Sequence, residues 1–370
     1  MNCTKKTFVV LFAFSVVLMM SGCMSTRPTI VDAKTGKVKA SMQTALTYKG
    51  CVVSADSESR RFHTVLRSGD NLVLRTYSES FRKVAESKVR GPRGFAGYAV
   101  RGDEVAFLDS KTQDIRIYDI AAKTEKTIAV SDIRPCKNCG DAHMSPRTFM
   151  WISNSKLLLA DYKKAYVVDV VSQKCRTIYN DNGNIHIDEI FPSPDGRRFA
   201  LTDGVTGKPS GAIKILNVEG KLIKTIGTKN EIPRLLSWSP ASKELAYLTN
   251  SRRIKIYNMD SGKERVLSTV SSEWKCHRLN FEKDVLILYF DDSENATGFT
   301  DKSSLVFIDS QTGEKSKAIR GISFCESFFP LDGDGKYITD AAHYDDDSRV
   351  YNFCKIIAWI LTMPFHDGEF

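Results

Sequence analysis

One repeating unit constrains the fold of this chain more than any other feature. It reads as an apolar strand, a short polar turn, a second strand ending in small or acidic residues, and two further strands joined by a turn. The second strand is the easiest to align: EVAFLDS at 104–110, KLLLADY at 156–162, RRFALTD at 197–203, KELAYLTN at 243–250, DVLILYFDD at 284–292 and KYITDAA at 336–342. Third and fourth strands follow as IRIYDIAAKTEKTI at 115–128, AYVVDVVSQKCRTI at 165–178, IKILNVEGKLIKTI at 213–226, IKIYNMDSGKERVL at 254–267 and LVFIDSQTGEKSKAI at 305–319. Each segment is short, β-branched or aromatic, and bounded by Gly, Asp, Asn or Pro turns. No stretch after residue 25 keeps a helical period. Four-stranded units recurring every forty to fifty residues or so describe the blades of a β-propeller. The expectation is an all-β chain forming a single β-propeller of about seven four-stranded blades, with six or eight also compatible.

Counting forward places blades near 43–86, 94–130, 147–179, 188–227, 234–268, 277–320 and 324–361. The first matches the unit least well, and the last lacks a clear fourth strand. Residues 29–42, TIVDAKTGKVKASM, have the form of a third-to-fourth hairpin with no partner before it. Added to the last blade, they would close the ring and remove open sheet edges. Ser-Pro-Asp-Gly at 193–196 and Leu-Asp-Gly-Asp-Gly at 331–335 read as turns between first and second strands. The stretch 193–202, SPDGRRFALT, resembles the WD-like repeat of the TolB-like propellers, with fainter echoes at 239–249 and 331–340. The resemblance implies a fold family and no particular activity. The separate N-terminal domain of TolB has no room here, and the Ala-Trp-rich repeat of the quinoprotein-like outer-membrane assembly lipoprotein is missing.

The N-terminus carries a second signal. Lys5 and Lys6 precede an apolar run from Phe8 to Met20, broken only by Ser15. Such a run suits a signal-peptide h-region and is too short for a comfortable membrane-spanning helix. Met20-Ser21-Gly22-Cys23 follows, a small-residue pair directly before cysteine, and resembles the lipobox of bacterial lipoproteins, with Met20 where leucine is more usual. The other readings are an ordinary cleaved signal or an uncleaved anchor. The resemblance implies cleavage before Cys23, diacylglycerol on its sulfur and acylation of its amine. Several chains on one residue meet the usual requirement for stable attachment to a membrane. Met24 and Ser25 follow with no aspartate, which by resemblance to diderm lipoproteins implies the outer membrane, facing the periplasm. The expected organisation is a signal peptide at 1–22, a lipidated N-terminus, tether and ring-closing strand at 23–42, the propeller at 43–361 and a tail at 362–370.

The formal net charge is +9, and Lys5 and Lys6 leave with the signal, so the mature chain carries +7. A modest positive excess suits attraction to anionic lipid, lipopolysaccharide or acidic glycan, or is simply a basic, soluble surface; the expected partner is an envelope protein or acidic glycan. No basic helix or finger pattern argues for nucleic acid. Seven cysteines remain beyond Cys3 and Cys23, at 51, 136, 139, 175, 276, 325 and 354, an odd number that leaves at least one free thiol. Cys136-Lys137-Asn138-Cys139 lacks the second pair of a zinc finger and the histidine of a haem attachment. A local disulfide stapling the loop between the second and third blades is the leading reading, followed by two free thiols and then a transient metal or redox role.

First strands line the channel of a propeller, and the loops leading into them gather at one face. Alignment on Tyr98, Trp151, Phe191, Trp238, Phe281 and Phe329 sets charged residues three or four places earlier: Arg147, Asp188, Arg234, His277 with Arg278, and Glu326, with Arg93 near-equivalent. Side chains so placed converge on one mouth, where arginines could hold a carboxylate or phosphate bidentately or simply pair with the acids. His143, His186 and His277 fall in the entry loops of blades 3, 4 and 6, but the loops differ in length and the three blades are not all adjacent, so no metal is expected. Asp345-Asp346-Asp347 matches no calcium loop. No Gly-x-Ser-x-Gly elbow or Gly-rich phosphate loop appears, and no cofactor is implied. The sequence favours a membrane-anchored, non-catalytic binding scaffold. The alternative is an envelope lyase or hydrolase of acidic glycans working at the channel mouth.

Overall fold

The computed structural model describes residues 27–32, 37–41, 51–56, 60–92, 97–109, 112–129, 148–180, 185–205, 208–227, 231–292, 303–316, 318–320, 322–323, 328–330 and 336–343. Every regular element among them is a strand. A first hairpin, β1 (Arg27–Asp32) and β2 (Lys37–Ser41), precedes the regular units. Blade 1 holds β3 (Cys51–Asp56), β4 (Arg61–Ser68), β5 (Asn71–Ser78) and β6 (Lys83–Arg90). Blade 2 holds β7 (Gly97–Arg101), β8 (Glu104–Leu108), β9 (Ile115–Asp119) and β10 (Thr124–Ile128). Blade 3 holds β11 (Thr148–Ser153), β12 (Lys156–Ala160), β13 (Lys164–Asp169) and β14 (Lys174–Asn180). Blade 4 holds β15 (Ile185–Pro192), β16 (Arg198–Val205), β17 (Lys208–Asn217) and β18 (Leu222–Ile226). Blade 5 holds β19 (Pro233–Trp238), β20 (Glu244–Thr249), β21 (Arg253–Asn258) and β22 (Glu264–Thr269). Blade 6 holds β23 (Trp274–Glu282), β24 (Val285–Asp292), β25 (Ser303–Asp309) and β26 (Ile319–Arg320). These six sheets are antiparallel meanders in sequence order.

The seventh sheet closes the ring. Its first strand is split into β27 (Ile322–Ser323) and β28 (Phe328–Pro330), both pairing along β29 (Lys336–His343). The third strand is β1, in register from Arg27 opposite Ala341 to Asp32 opposite Lys336, and β2 is the fourth. Segments from the two ends of the chain thus share one blade. That leaves no open inner edge between blades 7 and 1, where β28 and β29 lie against β3.

The apolar second strands follow from this stacking. Successive side chains of a strand point to opposite faces, and each blade is covered on both. In β12, Leu157 and Leu159 pack towards blade 2, while Leu158 and Ala160 pack towards blade 4. In β20, Leu245 and Tyr247 face blade 4, and Ala246 and Leu248 face blade 6. Burial on both faces turns the usual alternation into a continuous apolar run. Fourth strands face solvent, and in β10 and β18 only the last residue is buried. First strands of neighbouring blades approach one another, β7 to β11 and β19 to β23 among them, so they form the inner wall.

The third-to-fourth hairpins share one device. Asp119, Asp169, Asn217, Asn258 and Asp309 each accept hydrogen bonds from backbone N–H groups two to four residues on. These bonds hold the Asp169 and Asp309 carboxyls below their usual range, led by the N–H of Ser172 and of Thr312 respectively. Each hairpin then needs a left-handed residue, supplied by Lys123, Gln173, Gly220, Gly262 and Gly313.

Arginines clasp adjacent blades at the first-to-second turns, on the same face as these hairpins. Arg101 lies 4.0 Å over the Trp151 ring and donates to the Ser153 carbonyl at 2.6 Å. Arg198 lies 5.5 Å over Trp238 and donates to the Ser242 carbonyl at 2.7 Å. Guanidinium stacking joined to a directed hydrogen bond is not reproduced by lysine. Arg198→Ala and Arg198→Lys should each cost about 1 kcal/mol in urea unfolding, and a fully stable lysine variant would remove the clasp from the account.

Candidate functional site

Four antiparallel strands return the chain to the face it left, so every first strand starts at the same mouth of the ring. At that mouth a cleft of about 660 Å³ opens between the first strands of blades 4, 5 and 6. Three local irregularities shape it. The pairing of β15 with β16 slips between Ile187 and Glu189, that of β19 with β20 between Arg234 and Ser237, and that of β23 with β24 between Cys276 and Arg278. The residues left over include Asp188, Leu235 and His277. A bulge inserts an unpaired residue, bends the strand and re-aims its side chains. Leu235 takes a left-handed backbone, φ 53°, which costs a branched side chain strain of the kind that concentrates at ligand sites.

Pro233, Leu248 and Val270 are buried in the cleft floor, with Leu235, Trp274 and Cys276 half-buried beside them. Trp274 stacks on Phe290 at 3.9 Å, and Arg252 donates to the carbonyls of Ser271 and Trp274 at 2.7 and 3.2 Å, which fixes the start of β23. The rim is polar: Asp188, Glu189, Arg234, Asn250 and Lys275. His186 Nε2 lies 3.1 Å from Asp188 Oδ1. Arg234 and Lys275 are exposed and form no ion pair with a described residue. Burial pushes the Cys276 thiol up to about 11, against the opposing pull of Arg252, so it stays protonated and a poor nucleophile.

Asp188 and Arg234, read from the sequence, line this one cleft. His277 and Arg278 stand on the same strand as Lys275, but His277 Nε2 engages Asp291 at 2.6 Å. Arg147, Glu326, Arg93, His143, Cys23, the pair Cys136 and Cys139, and Asp345 to Asp347 lie outside the described residues. Among the described residues, Cys175 and Cys276 are not joined in a disulfide. Among the described residues, no group of three His, Cys, Asp or Glu side chains is placed to hold a metal ion. Sequence spacing passed over Lys275, Trp274 and the Asn250–Arg252 turn. Lys275 lies six positions before Phe281, beyond the three or four used for alignment, whereas Asn250-Ser251-Arg252 was legible as a polar turn after a second strand.

No family model matches the chain, and no curated protein matches it. Solved structures do. The tricorn protease superposes with a TM-score of 0.56 at 13% identity, over 85% of this chain and 34% of its own. The β-propeller domain of Myceliophteria thermophila Cps50 (Swd1) superposes with a TM-score of 0.54 at 9% identity, over 78% of this chain and 95% of its own. The chain therefore spans about a third of the tricorn protease. At such identities the likeness is one of fold alone, and together with the ring of seven sheets it makes this chain a β-propeller.

Proposed function

We propose that this propeller is a non-catalytic binding scaffold, tethered to the cell envelope by a lipid on Cys23, whose recognition surface is the mouth cleft of blades 4 to 6. The observation that carries the reading is the pair Arg234 and Lys275, two exposed cations without ion-pair partners among the described residues, on the rim of a cleft with an apolar floor. An apolar centre within a polar rim that holds arginine is the anatomy of an interaction surface. Partners of matching chemistry are envelope proteins or acidic glycans carrying carboxylates. Crosslinking in the native envelope tests it: Arg234→Gln with Lys275→Gln should sharply reduce recovery of the crosslinked partner while the folded protein keeps its level. Undiminished recovery removes the cleft as the recognition surface.

A cleaving role on acidic glycans has one observation of its own, the contact between His186 and Asp188 beside Glu189, since a carboxylate can orient an imidazole for proton transfer. Under that reading purified protein depolymerises oligogalacturonate and His186→Ala does not. Without turnover by the wild type, the scaffold reading stands.

A further inference from the structure

We infer that the mouth cleft takes an extended protein segment of mixed charge, an apolar side chain with a carboxylate on one side of it and a cation on the other. The inference rests on the scaffold reading of this cleft and chooses between the two partner classes which that reading leaves open. The choice follows from where charge stands along the lining. Blade 4 contributes Asp188 and Glu189, both half-buried, blade 5 contributes Arg234, and blade 6 contributes Lys275. One end of the cleft is thus acidic and the other basic. A polyanionic glycan that filled it would set a carboxylate against Asp188 and Glu189, a like-charge contact that costs affinity. A peptide can match both ends. Asp188 already engages His186, and a carboxylate has lone pairs for more than one donor.

Blade 5 supplies the apolar residues between the two ends, Pro233, Leu235 and Leu248, with Val270 where the chain leads into blade 6. Sugar hydroxyls laid there would give up hydrogen bonds to water without replacing them. An aliphatic or aromatic side chain gains from the same burial. Trp274, the aromatic residue of the lining, has one ring face stacked on Phe290, so that face is closed to a sugar ring. The rim is also preformed. The Ile232 N–H donates to the Asn250 side chain at 3.0 Å, and the Asn250 N–H donates to the Ile232 carbonyl at 2.9 Å. Glu231 accepts from the Ser251 hydroxyl at 2.8 Å and from Lys255. The segment entering β19 is so tied to the turn after β20, and Arg234 meets a partner without first ordering its own backbone.

Selection from a randomised displayed peptide library on the purified full chain tests the inference. Enriched peptides should carry an apolar residue with an acid on one side and lysine or arginine on the other, and should bind as free synthetic peptides in fluorescence anisotropy. Converting the peptide's acid to its amide should weaken binding roughly tenfold to the wild type and hardly at all to Arg234→Gln with Lys275→Gln. Neutralising its cation should weaken binding likewise to the wild type and hardly at all to Asp188→Asn with Glu189→Gln. Lys263→Gln, exposed on the opposite face, should change nothing. Urea midpoints confirm that the variants fold, and the single substitutions Lys275→Gln and Glu189→Gln carry the same cycles if a double variant does not. No enrichment, enriched peptides lacking either charge, additive losses in both cycles, or an equal loss with Lys263→Gln overturns the inference. Oligogalacturonate bound through Arg234 and Lys275 in place of any peptide also overturns it and leaves the scaffold reading standing. That reading fails separately, through undiminished crosslinking of the double glutamine variant in the native envelope, and the inference falls with it.

Discussion

Gly313→Ala is expected to cost this propeller about 3 kcal/mol or more, whereas the same change at Gly262 should cost roughly 1 kcal/mol. Both glycines occupy the left-handed position of a third-to-fourth hairpin, with φ of 77° and 66°. A side chain there carries a penalty of about 1–2 kcal/mol, partly offset by a less flexible unfolded chain. The surroundings make the difference. A Cβ on Gly313 would collide with the Leu267 carbonyl oxygen, a backbone atom of blade 5, whereas at Gly262 the nearest atom is the Tyr257 hydroxyl at 3.5 Å. Relieving the first contact means prising blade 6 from blade 5. The reverse substitution completes the series: Gln173→Gly relaxes a strained non-glycine residue, φ 56°, and should gain about 0.5 kcal/mol after the entropy cost of glycine. Urea midpoints at constant slope read all three. Equal losses at Gly313 and Gly262 would show that blade contact plays no part in the glycine requirement.

The same hairpins show what the sequence made legible. The second strands stood out because burial on both faces leaves Leu157 to Ala160 and Leu245 to Leu248 apolar without interruption, a pattern that depends on the blade alone. The third-to-fourth turns stood out because an Asp or Asn must cap each one. The shape of the mouth depends on pairing register, which no single segment contains. Asp188 and Arg234 were found because they sit three and four places before an aromatic of the first strand. Lys275 was not, because it stands six places before Phe281, nearer the start of the strand than that window reaches. The clasps of Arg101 and Arg198 were equally hidden, since each joins residues more than forty positions apart. Charge in the sequence marked a surface, and only register told which charges share one cleft.

Glu282 gives the second large effect, and it is a gain. It is the last residue of β23, on the inner strand of blade 6 at the face opposite the cleft, and its carboxylate makes no hydrogen bond or ion pair with a described residue. Burial alone pushes its carboxyl up to about 7. The sign follows from proton counting. Between the unfolded value near 4 and the folded value, the native state holds a proton that the unfolded chain releases, so stability falls as pH rises through this window. Above it the penalty is constant. At about 1.4 kcal/mol for each unit the full penalty approaches roughly 3 kcal/mol, an upper figure because some solvent reaches the group. Glu282→Gln keeps the shape and cannot ionise, so at pH 8 it should stabilise the propeller by about 2 kcal/mol, and near pH 4 by almost nothing. Urea unfolding of the two proteins across pH 4 to 8 gives the difference curve directly. A flat curve would mean that Glu282 has a cation beside it in solution, and a curve rising towards acid would reverse the sign of its burial.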